Sequence, residues 1–295
     1  MVPAHLRMYV IVEEIINHSA RSAKSWERAK YPKWHLLIMV NEVPSRIHFL
    51  PIGYEVERAV VPLKILRAEA VVLLTTGLTG KAGLFHRRVV EQIKSLGLPQ
   101  YTIECNIWDP AVVVDTVGAI VTALPQHDYY FNVSTGSKMC AIGGQTAAMF
   151  YPIKLYYQAV DYDRFTNPDN NDHPAIGNPR LVSTFKVEPL DVGALTLLSF
   201  LATHSDGAAK HEIIDELQRK GIIGPKNGNC RISASALHAQ VDVLRRHLEA
   251  WGFIEGNPGR GASLKLKLNS KGMAGHTMFL HRLKPRPPPE ILSKL

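Results

Sequence analysis

The chain has 295 residues, 46% of them hydrophobic and 20% charged, with a formal net charge of +8. This balance excludes a charge-solvated disordered polymer and suits two ordinary domains better than one. No run approaches the roughly 18 consecutive apolar residues of a membrane span, and no secretory signal pattern opens the sequence.

The three cysteines, Cys105, Cys140 and Cys230, are far apart and form neither a CxxC pair nor a disulfide framework. The expectation is a protein of the reducing cytoplasm with its thiols packed away. The charge is unevenly spread. Residues 47–190 carry twelve Lys/Arg against thirteen Asp/Glu, whereas from Lys226 onward there are twelve against four. A near-neutral body joined to a basic end fits a nucleic-acid-binding appendage or a solvated surface, and charge alone does not separate the two.

Residues 1–46 follow no strand-turn-helix logic. Three readings stay open: a loosely held extension, sequence upstream of a start at Met39, or a helix packed on the body. The segment receives no function.

From Arg46 onward the pattern alternates. Strands are expected at 47–50, 70–74, 101–107, 129–133 and 153–160, with a sixth at 181–189 pairing at an edge. Helices are expected at 54–66, 84–96, 110–124 and 139–150. Ala70–Leu74 is a continuous apolar run of the kind that is buried on both faces. This alternation predicts an α/β fold: a Rossmann-like, doubly wound, mostly parallel sheet over residues 47–190.

Ligands of such sheets bind beyond the C-terminal strand ends, where the strand order reverses. Three strand-to-helix loops there combine glycine with hydroxyl or amide groups: Leu50–Glu55, Thr75–Lys81 and Asn132–Met139. Glycine lets the backbone approach a ligand, and open N–H groups at a helix start attract phosphate. One such loop fits a turn whose Ser and Thr only cap the next helix; three on one sheet edge favour a phosphate-bearing ligand.

The familiar motifs are missing. Gly136-Ser137-Lys138-Met139 misplaces the lysine of a Walker A loop, and no GxGxxG opens the first helix. No metal-ligand spacing, GxSxG elbow or HExxH motif occurs, so neither a metal nor a cofactor is expected. His48, His86 and His127 read as packing or surface residues.

The Leu-Pro-Ile-Gly-Tyr-Glu loop after the first strand, taken with Asn-Val-Ser-Thr-Gly-Ser-Lys-Met after the fourth, resembles the CRISPR-associated Rossmann fold (CARF) domain. The second loop of that family is typically N-x-[ST]-G-G-[ST]-K; here Thr135 stands where its first Gly often lies. The resemblance spans about residues 47–190. It implies a homodimer that binds a cyclic oligoadenylate, most often the tetra-adenylate, across its two-fold axis. It implies a site lined by Gly53, Tyr54, Ser134, Thr135, Gly136, Ser137 and Lys138, with Thr75, Thr76 and Gly77 beside them.

Beyond Asp191 the pattern turns helical, with helices expected at 195–203 and 210–219 and a third running from Ser233 or Ser235 to about Trp251. Leu237, Val241, Leu244 and Leu248 form the core stripe of that third helix. A turn at 257–261 and an alternating strand at 264–268 follow. Helix, helix, helix and basic hairpin is the order of a winged helix-turn-helix, expected over 191–283 and followed by a Pro-rich tail at 284–295. The run LRRHLEAWGFIE is similar to the third helix and wing entry of bacterial and archaeal regulators of that class.

Double-stranded DNA is therefore the expected partner. Ser233, Ser235, His238, Gln240 and Arg245 are its candidate contacts on the helix, and Arg260, Lys265 and Lys267 on the wing. A CARF domain joined to a winged helix resembles transcription regulators found with archaeal CRISPR loci, which implies a binding protein rather than an enzyme. The alternative is a metal-independent ring nuclease that opens its own cyclic ligand, although no general base is evident from the residues. A nuclease of the HEPN type lacks its Arg-x4–6-His signature here.

Overall fold

A computed structural model describes residues 45–164, 173–224, 232–255 and 265–283. The chain divides into units Met1–Val43 and Pro44–Leu295, and every described residue belongs to the second.

The body is a six-stranded sheet of order β3-β2-β1-β4-β5-β6. Its strands are β1 (Arg46–Pro51), β2 (Ala70–Thr75), β3 (Gln100–Glu104), β4 (Asp128–Asn132), β5 (Ile153–Val160) and β6 (Ala175–Val182). β1 to β5 are parallel and β6 is antiparallel to β5. The helices between them are α1 (Val56–Ile65), α2 (Gly80–Ser95), α3 (Pro110–Ala123) and α4 (Lys138–Phe150). The expected Rossmann-like architecture is observed.

β1 and β2 are almost wholly buried, as strands covered by helices on both faces must be. Ile47, Phe49, Val72, Leu74 and Phe131 point into the layer that also holds Val113, Val117 and Ala147 from α3 and α4. Leu50, Val71 and Leu73 point into the opposite layer, against Val60 and Leu63 of α1 and Phe85 and Val89 of α2. Asp109 caps α3 through Ala111 N, with Pro110 in the first helical position.

The sixth strand is not where the alternation at 181–189 put it. β6 occupies Ala175–Val182, because pairing with β5 sets its register (Val160 with Ala175, Leu155 with Val182) across an irregularity near Tyr157. Gly177, at φ +63°, and Pro179 are tolerated because this is an edge strand. Most of the predicted span, residues 183–189, has no regular structure.

The remaining elements are α5 (Val192–Ala202), β7 (Ala208–Ala209), α6 (Lys210–Arg219), α7 (Ala234–Ala250), β8 (Lys265–Leu266), α8 (Ser270–Met278) and α9 (Leu280–Leu283). β7 pairs with β8 in antiparallel fashion, and Ile254 bridges to Leu268. The core stripe of α7 is buried at Val241, Leu244 and Leu248, against Leu197, Leu201, Ile213 and Leu217. Ser233 is the N-cap of α7.

Helices α8 and α9 were not read from the sequence, because Ser270–Met278 has no clear apolar stripe. They join the C-terminal part to the sheet body. Phe150, ending α4, stacks on Trp251 at 5.8 Å and meets Phe279 edge-on at 5.1 Å. Buried His281 receives or donates a 2.7 Å hydrogen bond at Tyr151 Oη, and its backbone N–H donates to Asp115 Oδ1 of α3 at 2.6 Å.

Candidate ligand cleft

The strand order reverses between β1 and β4, and the loops that follow these two strands lock together at their C-terminal ends. Gly136 has φ +76°, the left-handed region that favours glycine. A Cβ there would lie 2.6 Å from Pro51 Cβ, and a Cβ on Gly53 would lie 2.6 Å from Gly136 N. Thr135 Oγ1 donates to Pro51 O at 2.8 Å and fastens the two loops from beneath.

The hydroxyls of the loop after β4 are spent inside the protein. Ser134 Oγ accepts from Gln158 N at 2.5 Å, while Ser134 N donates to Asn132 Oδ1 at 2.8 Å. Asn132 in turn donates to Arg58 O at 3.0 Å. Ser137 Oγ donates to Ile107 O at 2.7 Å and accepts from Cys140 N at 2.9 Å as the N-cap of α4. Ser134, Thr135 and Ser137 are buried, whereas Gly136 is half-buried and Lys138 exposed. What this loop can offer a ligand is backbone N–H, the helix start and the Lys138 ammonium.

After β2, Thr75 is buried; its Oγ1 donates to Gly77 O at 2.9 Å, closing a turn on itself. Thr76, Leu78, Thr79 and Lys81 are exposed. Tyr54 packs edge-on against Phe85 at 5.0 Å and lies under the Lys81 ammonium, 5.1 Å from the ring centroid.

These loops enclose a cleft of about 110 Å³ lined by Ile52, Gly53, Tyr54, Glu55, Thr76, Ala82, Ile107, Trp108, Gly136 and Ser137. Gly53, Tyr54, Thr76, Gly136 and Ser137 of the expected set thus meet at one opening, with Ser134, Thr135 and Thr75 as supports behind it. Sequence reasoning missed Trp108 and Glu55. Trp108 is 63% exposed, and its position in the loop after β3, on the same sheet edge, is the signal that could have found it.

Glu55 brings a carboxylate to a cleft read as anion-binding. Its Oε1 lies 3.7 Å from His173 Nδ1, and its Oε2 is buried without a hydrogen-bond partner among the described residues. His48, His86 and His127, read as packing or surface residues, are each engaged within the fold. His48 is fully buried, stacked on Tyr130 at 4.7 Å, and burial together with nearby Arg46 lowers its pKa to about 3, keeping the ring neutral. His86 bonds Thr102 at 3.0 Å, and His127 Nδ1 accepts from Ser45 N at 3.2 Å. Burial raises the pKa of Cys105 and Cys140, so neither is an activated thiolate. Among the described residues no His/Cys/Asp/Glu cluster could hold a metal, and no helix is long and apolar enough to cross a membrane.

In the C-terminal part, Ser233, Ser235, Lys265 and Lys267 are exposed and His238 is half-buried. Leu266 and Leu268 are buried, so the strand alternates as its sequence predicts. Gln240 Oε1 accepts from Gly224 N at 3.1 Å and braces the turn after α6. Arg245 is engaged with Asp242 and Glu249 on its own helix. Arg260 and the turn around it lie outside the described residues.

Residues 46–163 match the family model described as "HFX_2341_N:-like, N-terminal". No curated protein matches the chain. Among solved structures, it is similar to Can2 from Sulfobacillus thermosulfidooxidans in complex with cyclic tetra-adenylate, at 14% identity and a TM-score of 0.35 over 79% of this chain and 63% of that one. It is also similar to protein VC1899 from Vibrio cholerae, at 11% identity and a TM-score of 0.34, covering 81% of this chain and 67% of that one. A type III CRISPR defence DNA nuclease activated by cyclic oligoadenylate aligns at 18% identity and a TM-score of 0.27, over 80% of this chain and 39% of that one. The chain therefore spans less than two thirds of the length of the first and third of these structures.

Proposed function

We propose that this chain is a homodimeric, ligand-gated DNA-binding regulator that senses a cyclic oligoadenylate, the tetra-adenylate in particular, in CRISPR-linked defence. The observation that carries the sensing half is the interlock of the loops after β1 and β4 at the strand-order reversal. These are the two loops in which the sequence resembles CARF domains. Backbone N–H groups, the start of α4 and Lys138 gather there, as a phosphodiester ring requires. Exposed Tyr54, Leu78, Trp108 and Met139 border or flank the cleft and suit a contact with a second copy, across which a two-fold ring would lie.

The DNA-binding half is a winged helix-turn-helix over 191–283. Helices α5, α6 and α7 with the small β7–β8 sheet have its element order, and Lys265 and Lys267 stand out from a strand whose leucines are buried. Ser233, Ser235 and His238 at the start of α7 are the candidates for base edges. Lys265 and Lys267 meet phosphates; Arg245, held by two carboxylates, is the weakest candidate. The protein acts by binding rather than by turnover.

The test is a set of binding curves on promoter and random duplexes at several salt concentrations, with and without cyclic tetra-adenylate. Lys265→Ala with Lys267→Ala should weaken binding to every sequence alike and flatten the salt dependence by about two units of slope per protomer. A double variant with the native slope, or DNA affinity indifferent to the ring, would sink the regulator reading.

A further inference from the structure

Glu55 sits at the strand-order reversal, between the glycine of one candidate ligand loop and the start of α1, in a cleft whose other lining residues are aliphatic, aromatic, hydroxyl-bearing or small. Its carboxylate is mostly shielded, with its side chain 14% exposed. It caps no helix N–H, and its Oε2 accepts no hydrogen bond among the described residues. It presses against Gly53, where a Cβ would come within 2.2 Å of Oε2, so the absence of a side chain at 53 is what lets the carboxylate lie there. A shielded acceptor with an unsatisfied oxygen carries a cost that a ligand donor would remove.

A phosphate is the wrong ligand for this point. Two like charges about 4 Å apart repel even near a protein surface. Lys138 stands exposed at the start of α4 and Lys81 lies over the Tyr54 ring, while His173 Nδ1 is 3.7 Å from Glu55 Oε1. Lining the same cleft as Glu55 is the 63% exposed indole of Trp108, a surface on which a flat heterocycle rests. The cleft volume of about 110 Å³ also suits one.

We infer that the cleft takes a nucleobase rather than a phosphate, and that Glu55 is the acceptor that selects a base carrying an exocyclic amino group. This rests on the sensing reading above and specifies which part of the ring enters. The terminal torsion of a glutamate is broad, so a small turn of the carboxylate brings either oxygen to the amino group. Adenine offers that donor at its 6-position; hypoxanthine has a carbonyl there, which would face the carboxylate acceptor to acceptor, its ring N–H being displaced to the 1-position. A site built around one hydrogen bond rejects the analogue that lacks it far more strongly than an apolar pocket could.

Calorimetry on the full chain with two probes, cyclic tetra-adenylate and cyclic tetra-inosinate, tests this at fixed salt. The native protein should prefer the adenylate ring by roughly ten- to a hundredfold. Glu55→Gln keeps the shape and adds a donor, and should bring the two rings to near parity. Glu55→Asp keeps the charge but withdraws the oxygens, and should weaken adenylate binding without rescuing inosinate. If Glu55→Gln retains the native preference, Glu55 does not read the base and the inference falls while the sensing function stands. If the native protein binds neither ring, the sensing function itself falls and takes this assignment with it.

Discussion

The loops after β4 and β2 have similar compositions and use them in opposite ways. Both join hydroxyl residues, glycine and a lysine. In the first, Ser134, Thr135 and Ser137 are buried, and their hydroxyls bond Gln158 N, Pro51 O and Ile107 O. In the second, only Thr75 is buried, and Thr76, Thr79 and Lys81 face water. Hydroxyls that look like ligand donors in a sequence can instead be the fasteners that hold a backbone ready. A loop with its side chains already satisfied is preorganised, so its free N–H groups need no ordering when a ligand arrives. The exposed loop keeps the Thr76 and Thr79 side chains at the surface and must order them on binding.

The comparison is broken most sharply at Gly136. Gly136→Val puts a β-branched residue at φ +76° and drives its Cβ into Pro51, 2.6 Å away. The expected loss is about 2–5 kcal/mol of folding stability, the sum of left-handed strain and overpacking. Urea denaturation measures it; a loss below 0.5 kcal/mol (roughly the scatter of neutral surface changes) would mean the two loops are not locked. Thr135→Val comes next. It keeps the shape, deletes the 2.8 Å bond to Pro51 O and leaves that carbonyl unpaired, at about 1–3 kcal/mol. The same change at Thr76 on the exposed loop should leave the denaturation midpoint where it was, and that contrast is the sharper form of the test.

Much of this was legible in the sequence, for identifiable reasons. The continuous run Ala70–Leu74 forms the buried strand expected of it, and the periodic stripe Leu237, Val241, Leu244, Leu248 forms the core face of a helix, with Leu237 half-buried. The candidate ligand loops could be picked out because a parallel sheet puts every β-to-α turn on one edge. Which groups in them are spent could not be read, because the partners of Thr135 and Ser134 lie 84 and 24 residues away. β6 was misplaced for the same reason: its register comes from β5, and the alternation of Leu181–Pro189 is a local pattern with no strand beside it. Helices α8 and α9 escaped because their burial is decided by Phe150, Tyr151 and Asp115 of the body. Glu55 was in plain view in the first loop. Only the packing of Gly53 against its carboxylate makes it part of the cleft.

Lys138 gives the smallest effect on the fold and the most selective one on the ligand. It is the first residue of α4, exposed, next to a capping hydroxyl that is already used and a glycine whose conformation is fixed. Nothing in the fold rests on its ammonium, so Lys138→Ala should leave the denaturation midpoint unchanged. The helix start beneath it favours an anion through its open N–H groups, and the ammonium adds a charge-assisted contact. Losing that contact should weaken cyclic tetra-adenylate binding by roughly ten- to a hundredfold, about 1.5–3 kcal/mol. DNA affinity in the absence of the ring should stay native, because the described candidate DNA contacts lie at and beside α7 and β8. Calorimetry for the ring and anisotropy for DNA, on the same preparation, separate these outcomes. Native ring affinity in Lys138→Ala would mean that the loop after β4 is only a scaffold and that the phosphates are held by the loop after β2, with Lys81→Ala then showing the loss.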